Sequence, residues 1–144
     1  EKMKPRYVFG SLAILTILLL LVPSVGRAMV EIEVVSNDRA KELGLEIRSN
    51  AAGPDAVRVE LAFHTKAFPG FSRVDFLIHD GDRLLSSSAL REEPSKPGRV
   101  VVSFAADRTK LGQMSLRIMT GVGTRSMVGY DLPIQKFVDL DKLR

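Results

Sequence analysis

The chain is predicted to fold as an all-β protein, an antiparallel sandwich of seven or eight strands preceded by one apolar N-terminal segment. Three observations predict it. From residue 29 onward apolar and polar residues alternate with a period of two, the mark of half-buried strands rather than helices. Turn-forming stretches cut that pattern at short intervals. Before residue 29, by contrast, Tyr7 to Gly26 is a run of 20 residues without a charge.

The apolar run comes first. A helix of that length spans about 30 Å, enough to cross the hydrocarbon core of a bilayer. Its interior is built from Leu12, Ile14, Leu15, Ile17, Leu18, Leu19, Leu20 and Leu21. Lys2, Lys4 and Arg6 precede it, while Glu31 and Glu33 follow. The positive-inside rule then places the N-terminus in the cytoplasm and the remainder in the periplasm or its extracytoplasmic equivalent. Two readings share these features. A retained helix makes the protein a single-pass protein of the inner (cytoplasmic) membrane. A cleaved signal peptide also fits, with Pro23 breaking the helix and the small residues Gly26 and Ala28 spaced for processing. The organisation expected is therefore residues 1–28 as membrane anchor or signal peptide and residues 29–144 as an extracytoplasmic sandwich. The retained anchor is the reading carried forward. Its Leu-rich surface has no Gly-x-x-x-Gly pair, which suits lipid or a larger partner better than a tight self-dimer.

The strands follow in order. "VEIEVV" sets Val30, Ile32 and Val34 against Glu31 and Glu33, and "LGLEIRS" sets Leu43, Leu45 and Ile47 against Glu46 and Arg48. "VRVELAFHT" separates Val57, Val59, Leu61 and Phe63 from Arg58, Glu60 and His64. "RVDFLIH" separates Val74, Phe76 and Ile78 from Arg73, Asp75 and His79. "RVVVSFA", "MSLRIMT" and "MVGYDLPI" continue the alternation, the last through Val128, Tyr130, Leu132 and Ile134. "LLSSSALREE" is expected at a sheet edge. Turns are expected at "NAAGPD", "DGD", "PSKPG" and "GVGTRS". "ADRTKLG" is expected to be a short helical turn crossing between sheets. One polar face per strand argues for two sheets packed face to face and against a parallel sheet covered on both sides. In strand number and spacing this resembles an immunoglobulin-like or fibronectin-type sandwich. The Cys…Trp…Cys hallmark is absent, because the chain contains neither residue type.

Composition removes several function classes. With no cysteine there are no disulfides, thiolate metal sites or cysteine nucleophiles. The net charge of +4 is concentrated in the leader. Taking residues 1–28 from the totals of 21 basic and 17 acidic residues leaves 17 and 16, a net charge of +1 with mixed signs. That balance gives no basis for a nucleic-acid partner.

Candidate chemistry is sparse. His64 and His79 would approach each other, with Asp75 as a third ligand, only if their strands paired; otherwise they are surface histidines. Asp80 and Asp82 begin like a calcium loop, but "RLLSSSAL" supplies no further oxygens in register, and a tight turn explains them. Glycines at "GVGT" are followed by a strand, not by the helix N-terminus that a phosphate loop needs. Glu92 and Glu93 read as a solvated charge pair. No cofactor is implied, and no enzyme is expected. The stretch "KAFPGFS" stands apart, since Phe68, Pro69 and Phe71 fall in a turn. Either the rings fold back and plug the end of the sandwich, or they form a docking surface. The expected function is a non-catalytic accessory or scaffolding subunit. It is tethered in the lipid bilayer and docks onto the subunits of a larger membrane protein complex through Phe68, Pro69 and Phe71. The alternative is a cleaved, soluble periplasmic binding or chaperone-like module.

Overall fold

A computed structural model describes residues 29–122 and 126–139. The predicted anchor residues, 12 to 21, lie outside the described residues. Among those described, no helix is long and apolar enough to cross a membrane.

Nine strands form among the described residues: β1 (Met29–Val34), β2 (Glu46–Ala51), β3 (Ala56–His64), β4 (Phe71–Asp80), β5 (Arg83–Ala89), β6 (Glu93–Lys96), β7 (Arg99–Asp107), β8 (Met114–Val122) and β9 (Ser126–Pro133). They make two sheets, one ordered β1-β9-β8-β4-β5 and the other β2-β3-β7-β6. The chain is thus an all-β sandwich, with more strands than the seven or eight expected. The additional strand is β6, short and placed where "PSKPG" had been read entirely as a turn; the turn itself is confined to Pro97 and Gly98. One pair departs from the antiparallel expectation. β1 runs parallel to β9, with Met29 opposite Ser126 and Val34 opposite Asp131.

The period-two residues explain the packing. Val57, Val59, Leu61 and Phe63 of β3, with Val100 and Val102 of β7, face Val74 of β4, Leu116 and Ile118 of β8 and Leu132 of β9. Each such side chain contributes about 1.5–3 kcal/mol when fully buried. A short helix, α1 (Asn37–Glu42), joins the sheets after β1 and was not anticipated. The Ser36 hydroxyl caps it by accepting a bond from the Arg39 backbone N–H. Ala40 and Leu43 turn inward from it, so Leu43 belongs to the helix cap and not to the strand that "LGLEIRS" suggested.

The crossing from β7 to β8 is the helical turn expected at "ADRTKLG", a 3₁₀ helix over Arg108–Gln113. Asp107 caps it. One carboxylate oxygen accepts from the Thr109 backbone N–H at 2.9 Å and from its hydroxyl at 2.7 Å. The Thr109 hydroxyl, then its backbone N–H, holds the Asp107 carboxyl below the ordinary aspartate value of 3.8. A group depressed on folding stabilises the fold above its unfolded value and loses that contribution as pH falls through its folded value. The thermal midpoint of the protein should therefore exceed that of Asp107→Asn at neutral pH, with the gap closing below about pH 4. Thermal melts of both proteins at neutral and acid pH check this; a gap that does not change with pH would exclude the charge as its source.

Candidate interaction surface

β1 has the polarity of its faces inverted. Val30, Ile32 and Val34 share a face with Met127, Gly129 and Asp131 of β9, as a parallel register requires. That face lies on the outside of the sandwich, because the inward residues of β9 are Tyr130 and Leu132. The three β-branched side chains remain 51%, 40% and 60% exposed. Glu33 takes the inward side and reaches past the sheet edge to bond Arg39 of α1 at 2.8 Å, and Glu42 holds the same guanidinium at 3.0 Å. These bonds, that to Glu33 foremost, strengthen the guanidinium's hold on its proton. Glu33 is half-buried and Glu42 exposed, so their role is to fix the end of β1 beside α1 rather than to stabilise a core.

Gly129 makes room for this arrangement. A Cβ there would lie 2.8 Å from the Ile32 Cδ1 and 3.0 Å from the Arg117 Cδ. Ile32 therefore lies across the outer surface of β9, beside the pair that Arg117 makes with Asp131 at 3.1 Å. Among the described residues β1 ends its sheet, and no strand of theirs lies on its far side. An edge strand carrying unpaired backbone groups and a row of exposed apolar side chains is a template for pairing.

The residues expected to dock are placed otherwise. Phe68 is fully buried, its ring edge-on to Phe63 at 5.0 Å and to Tyr130 at 5.1 Å. Phe71 is half-buried against Phe63 at 5.3 Å. The rings close one end of the sandwich, which is the first of the two readings of "KAFPGFS". A side chain without accessible surface cannot anchor a partner, so of the three residues only Pro69 presents an exposed side chain. The exposed apolar side chains lie instead on β1, in Val30, Ile32 and Val34.

The histidines do not meet. β3 and β4 lie in different sheets. His64 closes β3, and its Nδ1 accepts from the Lys66 backbone N–H. His79 lies toward the opposite end of the sandwich, 2.9 Å from the Ser115 hydroxyl. Asp75 is paired with Arg73. Among the described residues no cluster of three metal-ligating side chains occurs. An open hollow of about 430 Å³ is lined by Pro54, Asp55, Ala56, Ala105, Ala106 and Asp107, and Asp107 is already engaged as a helix cap. This hollow gathers no nucleophile with a base. Compared with known proteins, the chain matches no family model, no curated protein and no solved structure.

Proposed function

We propose that the protein is a non-catalytic accessory subunit, tethered in the inner membrane by residues 7–26, that docks laterally onto a larger membrane complex. The open, apolar edge of β1 carries this reading. β1 begins three residues after the uncharged run ends at Gly26. A helix rooted in the bilayer would hold that edge at a fixed height and raise its effective concentration toward neighbours in the same membrane. The partner best suited is an extended segment that adds a strand beside β1. It would set apolar side chains over Val30, Ile32 and Val34 and a basic residue against Glu31. Pro69 stays in the proposal only as a peripheral contact.

The strand order supports the immunoglobulin-like description as part of this proposal. One sheet runs as C′CFG with an added parallel edge strand and the other as ABED, with hairpins and sheet-to-sheet crossovers in the order such sandwiches use. The same open edge also favours the second reading, in which a cleaved, soluble module takes up extended segments as a chaperone would.

The test uses the native chain from detergent-solubilised membranes, compared with a Val30→Lys, Val34→Lys variant. Both positions are exposed, so stability should move by no more than about 0.5 kcal/mol per site. Lysine on an edge strand opposes pairing, and partner retention should fall at least about tenfold. The intact mass should include residues 7–26. Undiminished retention by the variant would remove β1 as the docking edge, and a mass beginning at Met29 would favour the soluble reading.

A further inference from the structure

We propose that β1 is a detachable strap, and that the edge of β9 beside it takes an extended segment with apolar residues where β1 has Glu31 and Glu33. Such a strap works with or without a tether and is separate from the addition of a partner beside β1. None of the six residues of β1 is buried: Glu33 is half-buried and the rest are exposed. An ordered residue gives up backbone entropy, and strands such as β3 and β8 offset that loss by apolar burial. β1 has only its ladder and one ion pair to offset it.

Neither holds the strand strongly. The ladder is parallel, the less stable kind per residue. The Val35 N–H donates to the Asp131 carbonyl at 2.8 Å, so Glu31 and Glu33, of the same parity, turn their backbone groups toward β9. Val30, Ile32 and Val34 turn theirs to the open side. The ion pair joins Glu33 to Arg39, whose side chains are 37% and 41% exposed, and such pairs add little. Segments with few buried apolar contacts and exposed backbone bonds are the first to open. The opening also has a natural stop. Val35 has no exposed surface, and the next residue, Ser36, caps α1. Residues 29–34 can therefore leave β9 while the core stays whole.

β1 is also a poor match for the place it fills. Its inward residues Glu31 and Glu33 are opposite Val128 and Tyr130, which stay half-buried. Glu33 reaches past the edge to Arg39, and among the described residues Glu31 has no ion pair. Valine or isoleucine at both positions would instead cover Val128 and the Tyr130 ring with apolar surface. Gly129 adds a criterion of shape. A Cβ there would meet Ile32, so the site has room for a long aliphatic side chain at that position. The occupant it fits best is a strand parallel to β9, aliphatic over Gly129 and β-branched on either side. The β1 of a second copy brings the same glutamates and gains nothing by exchange.

Hydrogen exchange on the full chain, resolved by residue, reads the opening. The Glu31 and Glu33 amides should exchange at least about a hundredfold faster than the Leu116 amide of β8, though all three face a paired strand. Glu31→Val, which gives the strap an apolar grip, should slow that exchange at least about tenfold. A disulfide reads the displacement. The chain has no cysteine, and Val30 and Met127 are register partners on the outer face, so Val30→Cys with Met127→Cys can lock β1 to β9 on oxidation. The probe is a fluorescent peptide of residues 29–35 with Glu31→Val and Glu33→Val, preceded by lysines for solubility. It should bind the reduced chain at least about tenfold more tightly than the oxidised one, and by the same margin more tightly than a peptide of unchanged sequence. Glu31 and Glu33 amides as slow as that of Leu116 would overturn the strap. Equal binding to the reduced and oxidised chains would overturn displacement while leaving addition beside β1 intact, and binding to neither would overturn the β9 site.

Discussion

Phe68→Ala should lower the stability of the sandwich by about 3–5 kcal/mol, read as a shift of the urea midpoint at constant slope. The ring has no exposed surface and lies between Phe63 of β3 and Tyr130 of β9, with interplanar angles of 73° and 80°. Those strands belong to different sheets, so one side chain joins the two layers at the end of the core. Edge-to-face contacts of this kind add about 0.5–1.5 kcal/mol each beyond the area buried. Truncation to alanine leaves a cavity that the sheets can close only by tilting toward each other. A domain of this size has roughly 5–15 kcal/mol in total, so this one change removes a large share of it. Pro69→Ala, one residue on but exposed, should cost less than about 0.5 kcal/mol. If the two variants lost equal stability, the ring would not be acting as a core residue.

Gly70→Val should come next, with a loss of at least about 2–3 kcal/mol. Gly70 has φ +74°, a conformation that costs an L-residue about 1–2 kcal/mol. A Cβ there would also run into the carbonyl of Gly121, whose own N–H bonds the Gly70 carbonyl. The backbone cannot move aside without breaking the contact that seats the β3–β4 connection on β8. Gly81→Ala supplies the comparison, since Gly81 has φ +58° and open space around a Cβ. It should show the conformational cost alone. Equal losses at the two sites would mean that the Gly121 contact contributes nothing.

The pattern of what the sequence disclosed follows from what a period of two encodes. Alternation located β3, β4, β8 and β9, because both neighbours of each are strands and one face is fully covered. It also located β1, but it could not say which face turned inward. At a sheet edge the inner face is only half covered, and Glu33 satisfies its charge by reaching past the edge to Arg39. Nor does alternation reveal that β1 runs parallel to β9, since parallel and antiparallel partners place alternate residues on the same faces. α1 was missed because "NDRAKE" contains one apolar residue, Ala40, too few to show a helical period; its signal was the cap, Ser36 with Asp38 in the first turn. The aromatic turn is legible in the sequence, but that Phe68 turns inward depends on Phe63 and Tyr130, which come from strands in different sheets. The histidines lie on consecutive strands, β3 and β4, and sheet membership separates them.

The parallel pairing of β1 with β9 also bears on the order in which the molecule is made. The partner of Met29 is Ser126, 97 positions later in the chain by those numbers. At a synthesis rate of about 5–20 residues per second, the apolar strand waits roughly 5–20 s before its neighbour exists. Among the described residues β9 is the strand that pairs with β1, and β8, β4 and β5 lie beyond it in the sheet. Pairing β1 with β9 is thus a long loop closure of the kind that slows β proteins. A chain already fixed in a bilayer at its leading end would keep that waiting strand apart from its copies until the pairing is complete.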